Sequence, residues 1–236
     1  MKILGTLYIV ATPIGNLEDI TFRSVETLKS VQLIASEDTR HSSILLKRYG
    51  IQTKQISYYE QVEESRSSEL VTRLLSGENI ALISDAGTPG LSDPGYRLIS
   101  KAIANNIPVV PIPGASSILT ALVASGLATD RFCFEGFLPR KKGRKTRLQE
   151  LAIEPRTIII FESPFRIVKT LEDLHDFLGD RPAACCRELT KVFEEFRRAP
   201  ISELIRHFSL TPPKGEFVII VEGKRRAKPE RKEPEI

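Results

Sequence analysis

The chain has no tryptophan and one methionine, and its three cysteines, Cys133, Cys185 and Cys186, show no CxxC spacing. An odd count without that spacing argues against structural disulfides and against a zinc site, and two adjacent cysteines in a strand would point to opposite faces. His41, His175 and His207 are far apart, HExxH is missing, and no metal site is expected. No GxGxxG opens a helix, and the Gly-rich stretch 87–95 lacks the Lys-Ser/Thr ending of a phosphate loop, which disfavours a phosphate-centred cofactor. GxSxG is absent, which removes the hydrolase elbow. No apolar run reaches the ~18 residues of a membrane span, and Met1-Lys2 leads directly into a strand-like run rather than a secretory leader. A soluble, cytoplasmic protein with no membrane partner is the expectation.

What is present suffices for a full core: 236 residues, 41% of them hydrophobic, enough for one large or two small domains, of which two is the preferred reading. The formal net charge is +4, and residues 224–236 alone carry a net +3. That tail holds two prolines and only Ala227 and Ile236 as apolar residues, which predicts an unstructured basic segment when nothing is bound. A second concentration runs from Arg140 to Arg147, where Arg140, Lys141, Lys142, Arg144, Lys145 and Arg147 put six cations into eight residues. Such a patch is either a nucleic-acid footprint or a solvated loop and helix start.

Short apolar runs alternate with amphipathic ones through the first half. Strands are predicted near 6–11, 32–36, 54–58, 80–84 and 107–111, and helices near 21–30, 41–48, 63–76 and 95–105. This rhythm is the βα signature of a mostly parallel sheet covered on both faces. After Gly114 the rhythm changes: helix 115–126, strand 131–137, basic helix 143–152, strand 156–161, helix 164–178, strand 183–189, a strand near 192–198, helix 201–208 and strand 216–222. Hairpin pairing in a mixed sheet follows. The expected division is an α/β domain at 1–114, a second α/β domain with a mixed sheet at 115–223, and the tail at 224–236.

Three predicted strands end in Gly/Pro-rich turns: TPIGN at 12–16, DAGTPGLSDPG at 85–95 and PIPGASS at 111–117. In open α/β sheets ligands bind at such strand ends, so the three suggest one shared cleft. Gly87 and Gly90 would let backbone approach a ligand, and Asp85 would accept hydrogen bonds from a cofactor's amine or hydroxyls. Asp93-Pro94-Gly95 reads instead as an N-cap with proline at N1, a pattern repeated by Ser163-Pro164. Ser116 or Ser117 would cap the helix after PIPG or touch ligand. Glu37-Asp38-Thr39-Arg40 offers a cap at Asp38 or Thr39 and an aimed guanidinium at Arg40. Arg187-Glu188-Leu189-Thr190-Lys191 reads either as an ion-pair network or as part of the site.

In their order these segments resemble the tetrapyrrole-methylase superfamily, and within it the RNA-modifying branch, the small-subunit ribosomal RNA methyltransferase I family. The resemblance rests on LYIVATPIGNLEDIT (7–21), SEDTR (36–40), ALISDAGTPGLSDPG (81–95), PIPGASS (111–117), FEGFLPRKKGR (134–144), FESPFR (161–166), RELTK (187–191) and KGEFVIIVEG (214–223). It implies two α/β domains of the class III methyltransferase type with S-adenosylmethionine in the cleft between them, usually as a homodimer. It implies methylation of a cytidine ribose 2′-hydroxyl in the decoding region of 16S ribosomal RNA, presented naked or in the small ribosomal subunit. Carried over by motif, Pro13, Asp85, Ala86, Gly87, Pro113, Gly114, Ser116 and Ser117 would line the cofactor site. Arg40 and the basic run 140–147 would hold phosphates. A ribose hydroxyl is a poor nucleophile, and Glu37, Asp38, Glu188 and Lys191 are the candidate bases.

Two departures from the branch stand out: many members carry a further helical C-terminal segment, and many have a His-containing run where this chain has Ser57-Tyr58-Tyr59-Glu60, whose tyrosines could stack on a base. Two other functions use the same features, methylation of a precorrin-type tetrapyrrole and a non-catalytic RNA-binding role in ribosome assembly.

Overall fold

A computed structural model describes residues 3–210 and 213–224. Its contacts divide the chain into two units, Met1–Thr120 with Leu189–Val192, and Ala121–Glu188 with Phe193–Ile236. Of the basic tail, only Lys224 lies among the described residues. No helix among the described residues is long and apolar enough to cross a membrane, and no cluster of three or more His, Cys, Asp or Glu there could hold a metal.

The first unit is built on five parallel strands, β1 (Leu7–Val10), β2 (Leu33–Ser36), β3 (Gln55–Ser57), β4 (Ile80–Ile83) and β5 (Val109–Ile112), in the order β3-β2-β4-β1-β5. β4, Ile-Ala-Leu-Ile, is buried at every position because helices cover both faces of the sheet. On one face Val25 and Leu28 of α1 (Phe22–Ser30) and Leu46 of α2 (Thr39–Arg48) pack on Val10, Ile34, Ala81 and Ile83. On the other, Leu70, Val71 and Leu74 of α3 (Glu63–Leu75) and Leu98 and Ala102 of α4 (Tyr96–Ala104) pack on Leu7, Ile9, Leu33 and Leu82. The chain leaves β1 toward β2 and leaves β4 toward β5, so the carboxyl ends of these neighbouring strands form the switch point of the sheet.

α5 (Ser117–Ala124) leads into the second unit, whose sheet is mixed. Its strands are β6 (Phe132–Phe137), β7 (Thr157–Glu162), β8 (Pro182–Arg187), β9 (Glu195–Pro200) and β10 (Phe217–Val221), in the order β6-β7-β10-β8-β9. Only β6 and β7 are parallel, and β8 and β9 form the hairpin. α6 (Arg144–Ala152), α7 (Ile167–Leu178) and α8 (Ile201–Leu210) bury Leu148, Leu171, Leu174, Leu204 and Phe208 on one sheet face. Cys185 joins that core, while Cys186 lies with its Sγ 4.0 Å from the Ala121 carbonyl, the alternation expected of a strand. All three cysteines are free.

Two helix starts differ from the sequence expectation. α4 begins one residue past Gly95, and its first amides are met by a distant carboxylate: Glu63 Oε1 accepts from the Gly95 and Arg97 N–H groups at 3.0 and 3.3 Å. Asp93 is therefore not the cap. α7 begins at Ile167, three residues past Pro164, because 164–166 form a separate turn, so Ser163 does not cap it either.

Candidate active site

The three Gly/Pro turns and the EDTR segment converge at the switch point of the first unit. Thr12, buried just beyond β1, pairs with Gly87 beyond β4 in an antiparallel bridge, with N–H···O distances of 2.8 and 3.1 Å, and its hydroxyl donates to the Ser84 carbonyl at 3.1 Å. The PIPG turn closes from the β5 side, where a methyl group on Gly114 would come within 3.0 Å of the Ala11 Cβ. Ser116 caps α5, its Oγ accepting from the Leu119 N–H at 3.4 Å. Of the eight residues expected to line a cofactor, Ala86, Pro113 and Gly114 are exposed, Asp85, Ser116 and Ser117 are half-buried, and Pro13 and Gly87 are buried in the frame of the turns.

Beside this frame sits an acidic group. Asp85 Oδ1 accepts from the Asp38 N–H at 3.0 Å, tying the EDTR turn to the DAG turn. Asp38 caps α2 through the Arg40 N–H at 2.8 Å and also receives the Arg40 guanidinium at 3.1 and 2.7 Å. These hydrogen bonds hold its carboxyl well below the usual range, and cap and aimed guanidinium prove to be one device. Glu37 is displaced the other way, raised by burial and by the neighbouring charge of Asp85. Asp93 is raised to about 6, first by burial and then by Glu37, with a hydrogen bond from Ser84 opposing.

The Asp93 shift gives a stability prediction. A carboxyl whose folded value exceeds its unfolded one binds a proton preferentially in the native state. Its contribution is complete below the unfolded value near 3.8 and is lost as pH rises through about 6. Asp93→Asn is expected to melt higher than the parent above pH 6, by on the order of 2 kcal/mol, with the two converging toward pH 4. Parallel melting curves from pH 4 to 8 check this, and a constant difference across the range would exclude the mechanism.

The RELTK segment joins the first unit through residues 189–192. Thr190 adopts a left-handed φ of 63°, and the segment presses on the TPIG turn so closely that a Cβ on Gly15 would lie 2.5 Å from Lys191 Cγ and 2.7 Å from the Leu189 carbonyl oxygen and Thr190 Oγ1. Glu188 serves the β10 side, its Oε1 accepting from the Glu216 N–H at 3.0 Å, and Arg187 pairs with Glu195 at 3.0 Å.

The basic run separates into two kinds of residue. Arg144 is bound to Asp173 at 2.7 Å and to the Thr170 hydroxyl, and Arg147 to Glu135 and Glu150 at 2.5 Å each, so both guanidinium groups are spent on the second unit's own structure. Arg140, Lys141, Lys142 and Lys145 are exposed and form no ion pair among the described residues. Tyr58 is excluded from base stacking, since it is 1% exposed and its hydroxyl meets Ser67 and Glu63 inside the core; Tyr59 is exposed. Thr12 and Gly15 lie in the TPIGN turn that the sequence singles out, but their framing roles, like that of Glu63, rest on partners at least 32 positions away in the chain and could not be read from it.

Residues 6–205 match the Tetrapyrrole (Corrin/Porphyrin) Methylases. The chain belongs to this family and is by class a methyltransferase. Within the family it groups with ribosomal RNA small subunit methyltransferase I: it is 53% identical over 222 residues to the protein of that name from Synechocystis sp., covering 93% of this chain and 80% of the relative. The same-named protein of Haemophilus influenzae is 52% identical over 225 residues, covering 93% and 79%. Among solved structures, a diphthine synthase matches with a TM-score of 0.73 at 15% identity, over 93% of this chain and 90% of that one. Uroporphyrin-III-C-methyltransferase from Thermus thermophilus matches with 0.62 at 18%, over 93% and 92%, and the two share the fold with this chain.

Proposed function

We propose that the protein transfers a methyl group from S-adenosylmethionine to the 2′-hydroxyl of a cytidine in the decoding region of 16S ribosomal RNA. The observation that carries the reading is the meeting of the TPIGN, EDTR, DAGTPG and PIPGASS turns at one switch point, in a chain about half identical to proteins named for small-subunit ribosomal RNA methylation. S-adenosylmethionine supplies, when bound, an electrophilic methyl on a sulfonium, and in-line placement of the oxygen then provides much of the acceleration.

The residues present fit that group. Gly114 and Ala86 leave exposed backbone without side-chain bulk, the capped start of α5 offers amide donors to a carboxylate, and the Glu37, Asp85 and Asp93 carboxylates suit a cationic ligand. Pro13 and Gly87 would act by holding the turns in place, and Pro113, Ser116 and Ser117 would border the ligand. Of the four candidate bases, Glu37 is favoured: burial raises its proton affinity, whereas Asp38 is committed to Arg40 and to α2, and Glu188 to the Glu216 amide. Lys191 would position the TPIG turn. The reading includes a homodimer working in the cytoplasm on RNA.

Arg140, Lys141, Lys142 and Lys145 would hold RNA phosphates, as Arg40 would near the acidic group. Lys141→Ala with Lys142→Ala is expected to weaken RNA binding and to lower the slope of log affinity against log salt by about 0.7 per lost phosphate contact, measured by titration at several salt concentrations.

The test of the whole reading is transfer of labelled methyl to unmodified small subunits, to naked 16S RNA and to a precorrin-type tetrapyrrole, followed by nuclease mapping. Label at one cytidine 2′-O establishes it. Label on the tetrapyrrole alone, or cofactor binding without transfer to any of the three, overturns it.

A further inference from the structure

β6 contains a device the methyl-transfer reading does not use. Phe134 and Phe137 are three residues apart and would face opposite sides of a regular strand. The strand is instead bulged: Phe134 pairs with Ile159 and Phe137 with Phe161, so one extra residue is accommodated, and Gly136 takes a left-handed φ of 59° to do it. The bulge brings both rings to Phe161, with centroids 4.9 and 5.8 Å away and edge-to-face geometry. Phe137 nevertheless stays 55% exposed.

That exposed ring is one wall of a cavity of about 490 Å3, within the ~300–1,000 Å3 usual for small-molecule sites. Arg147 lines it too, its guanidinium plane held in place by Glu135 and Glu150, which also line the cavity and leave the guanidinium to act as a stacking surface rather than as a charge. Pro139 and Gly143, also in the lining, bracket the loop that carries Arg140, Lys141 and Lys142. An aromatic face and a held guanidinium beside free cations match the chemistry of an unpaired nucleotide, whose base stacks while its phosphates are neutralised.

The geometry points to this cavity as the seat of one unpaired nucleobase of the RNA, stacked on Phe137, with the loop cations on the flanking phosphates. The inference rests on the RNA reading above but concerns a different contact from the methyl-transfer centre. Base stacking on an aromatic is insensitive to salt, whereas phosphate contacts are not, and that difference separates the two kinds of residue.

The experiment is a salt series of binding titrations with a ten-nucleotide oligocytidylate and an abasic ribose-phosphate decamer, using the full chain, Phe137→Ala, Phe137→Trp and Lys141→Ala/Lys142→Ala. Phe137→Ala is expected to bind oligocytidylate about tenfold more weakly at every salt concentration with an unchanged slope, and to bind the abasic decamer like the parent. Phe137→Trp is expected to restore affinity, and the lysine variant to lower the slope for both probes. Equal affinity of Phe137→Ala and the parent for oligocytidylate, or an equal loss on the abasic probe, overturns the assignment while leaving the RNA reading intact. Reduced methylation of assembled subunits with unchanged oligonucleotide binding overturns it in favour of a protein contact. A parent that binds neither probe and methylates no RNA fails the functional reading itself.

Discussion

Glu37→Gln is expected to lower kcat by about 10²- to 10⁴-fold, the usual contribution of a positioned proton acceptor. The parent rate should rise with pH through the elevated value of the Glu37 carboxyl, since the group accepts a proton only when ionised, and that limb should vanish in the variant. The melting temperature should hold or increase, because the amide removes the repulsion between Glu37 and Asp85 that burial makes costly. A rate loss accompanied by lower stability would instead indicate a structural role. Cofactor affinity measured on the same preparation separates proton transfer from binding.

Gly15→Ala is the second large effect. The added methyl group would collide with the Leu189 carbonyl oxygen and Thr190 Oγ1 at 2.7 Å, so either the TPIG turn or the RELTK segment must move. Overpacking of this kind costs about 1–3 kcal/mol, and displacement of a positioning loop by ~1 Å costs up to ~10²-fold in rate. Both should appear together, as a lower melting temperature and slower methyl transfer. An unaltered protein on both measures would show that the two segments do not hold each other. The substitution is small and surface-accessible, Gly15 being exposed, which makes the expected size of the effect a strong test of the packing.

The βα rhythm, the parallel and mixed character of the two sheets and nearly every element could be read from apolar periodicity, because burial on both faces leaves short unbroken runs such as Ile80–Ile83. The strand order could not, since β4 lies between β1 and β2 only through pairing across more than 40 residues. Asp93 and Ser163 misled because a polar residue before proline marks a helix start only when the helix begins at once. In both places a turn intervenes. Within the EDTR motif, adjacent carboxylates look interchangeable in sequence. Side-chain direction makes one a helix cap gripped by Arg40 and the other a half-buried group with raised proton affinity. Likewise six cations in eight residues read as one patch until the partners of Arg144 and Arg147 divide it.

The opening of α6 carries an electrostatic cost. Its cap is Gly143, which offers no side chain, and its first turn holds no acid; Asp173, Glu135 and Glu150 compensate Arg144 and Arg147, which leaves Lys145, with Lys141 and Lys142 just before the helix, against the positive end of the dipole. In isolation this is a locally frustrated segment, where sequence opposes the backbone it adopts. A polyanion laid across it removes the conflict, so that affinity and local folding stability become two measures of one equilibrium. Phosphates held at this end would therefore stabilise the start of α6 as well as anchor the ligand that carries them.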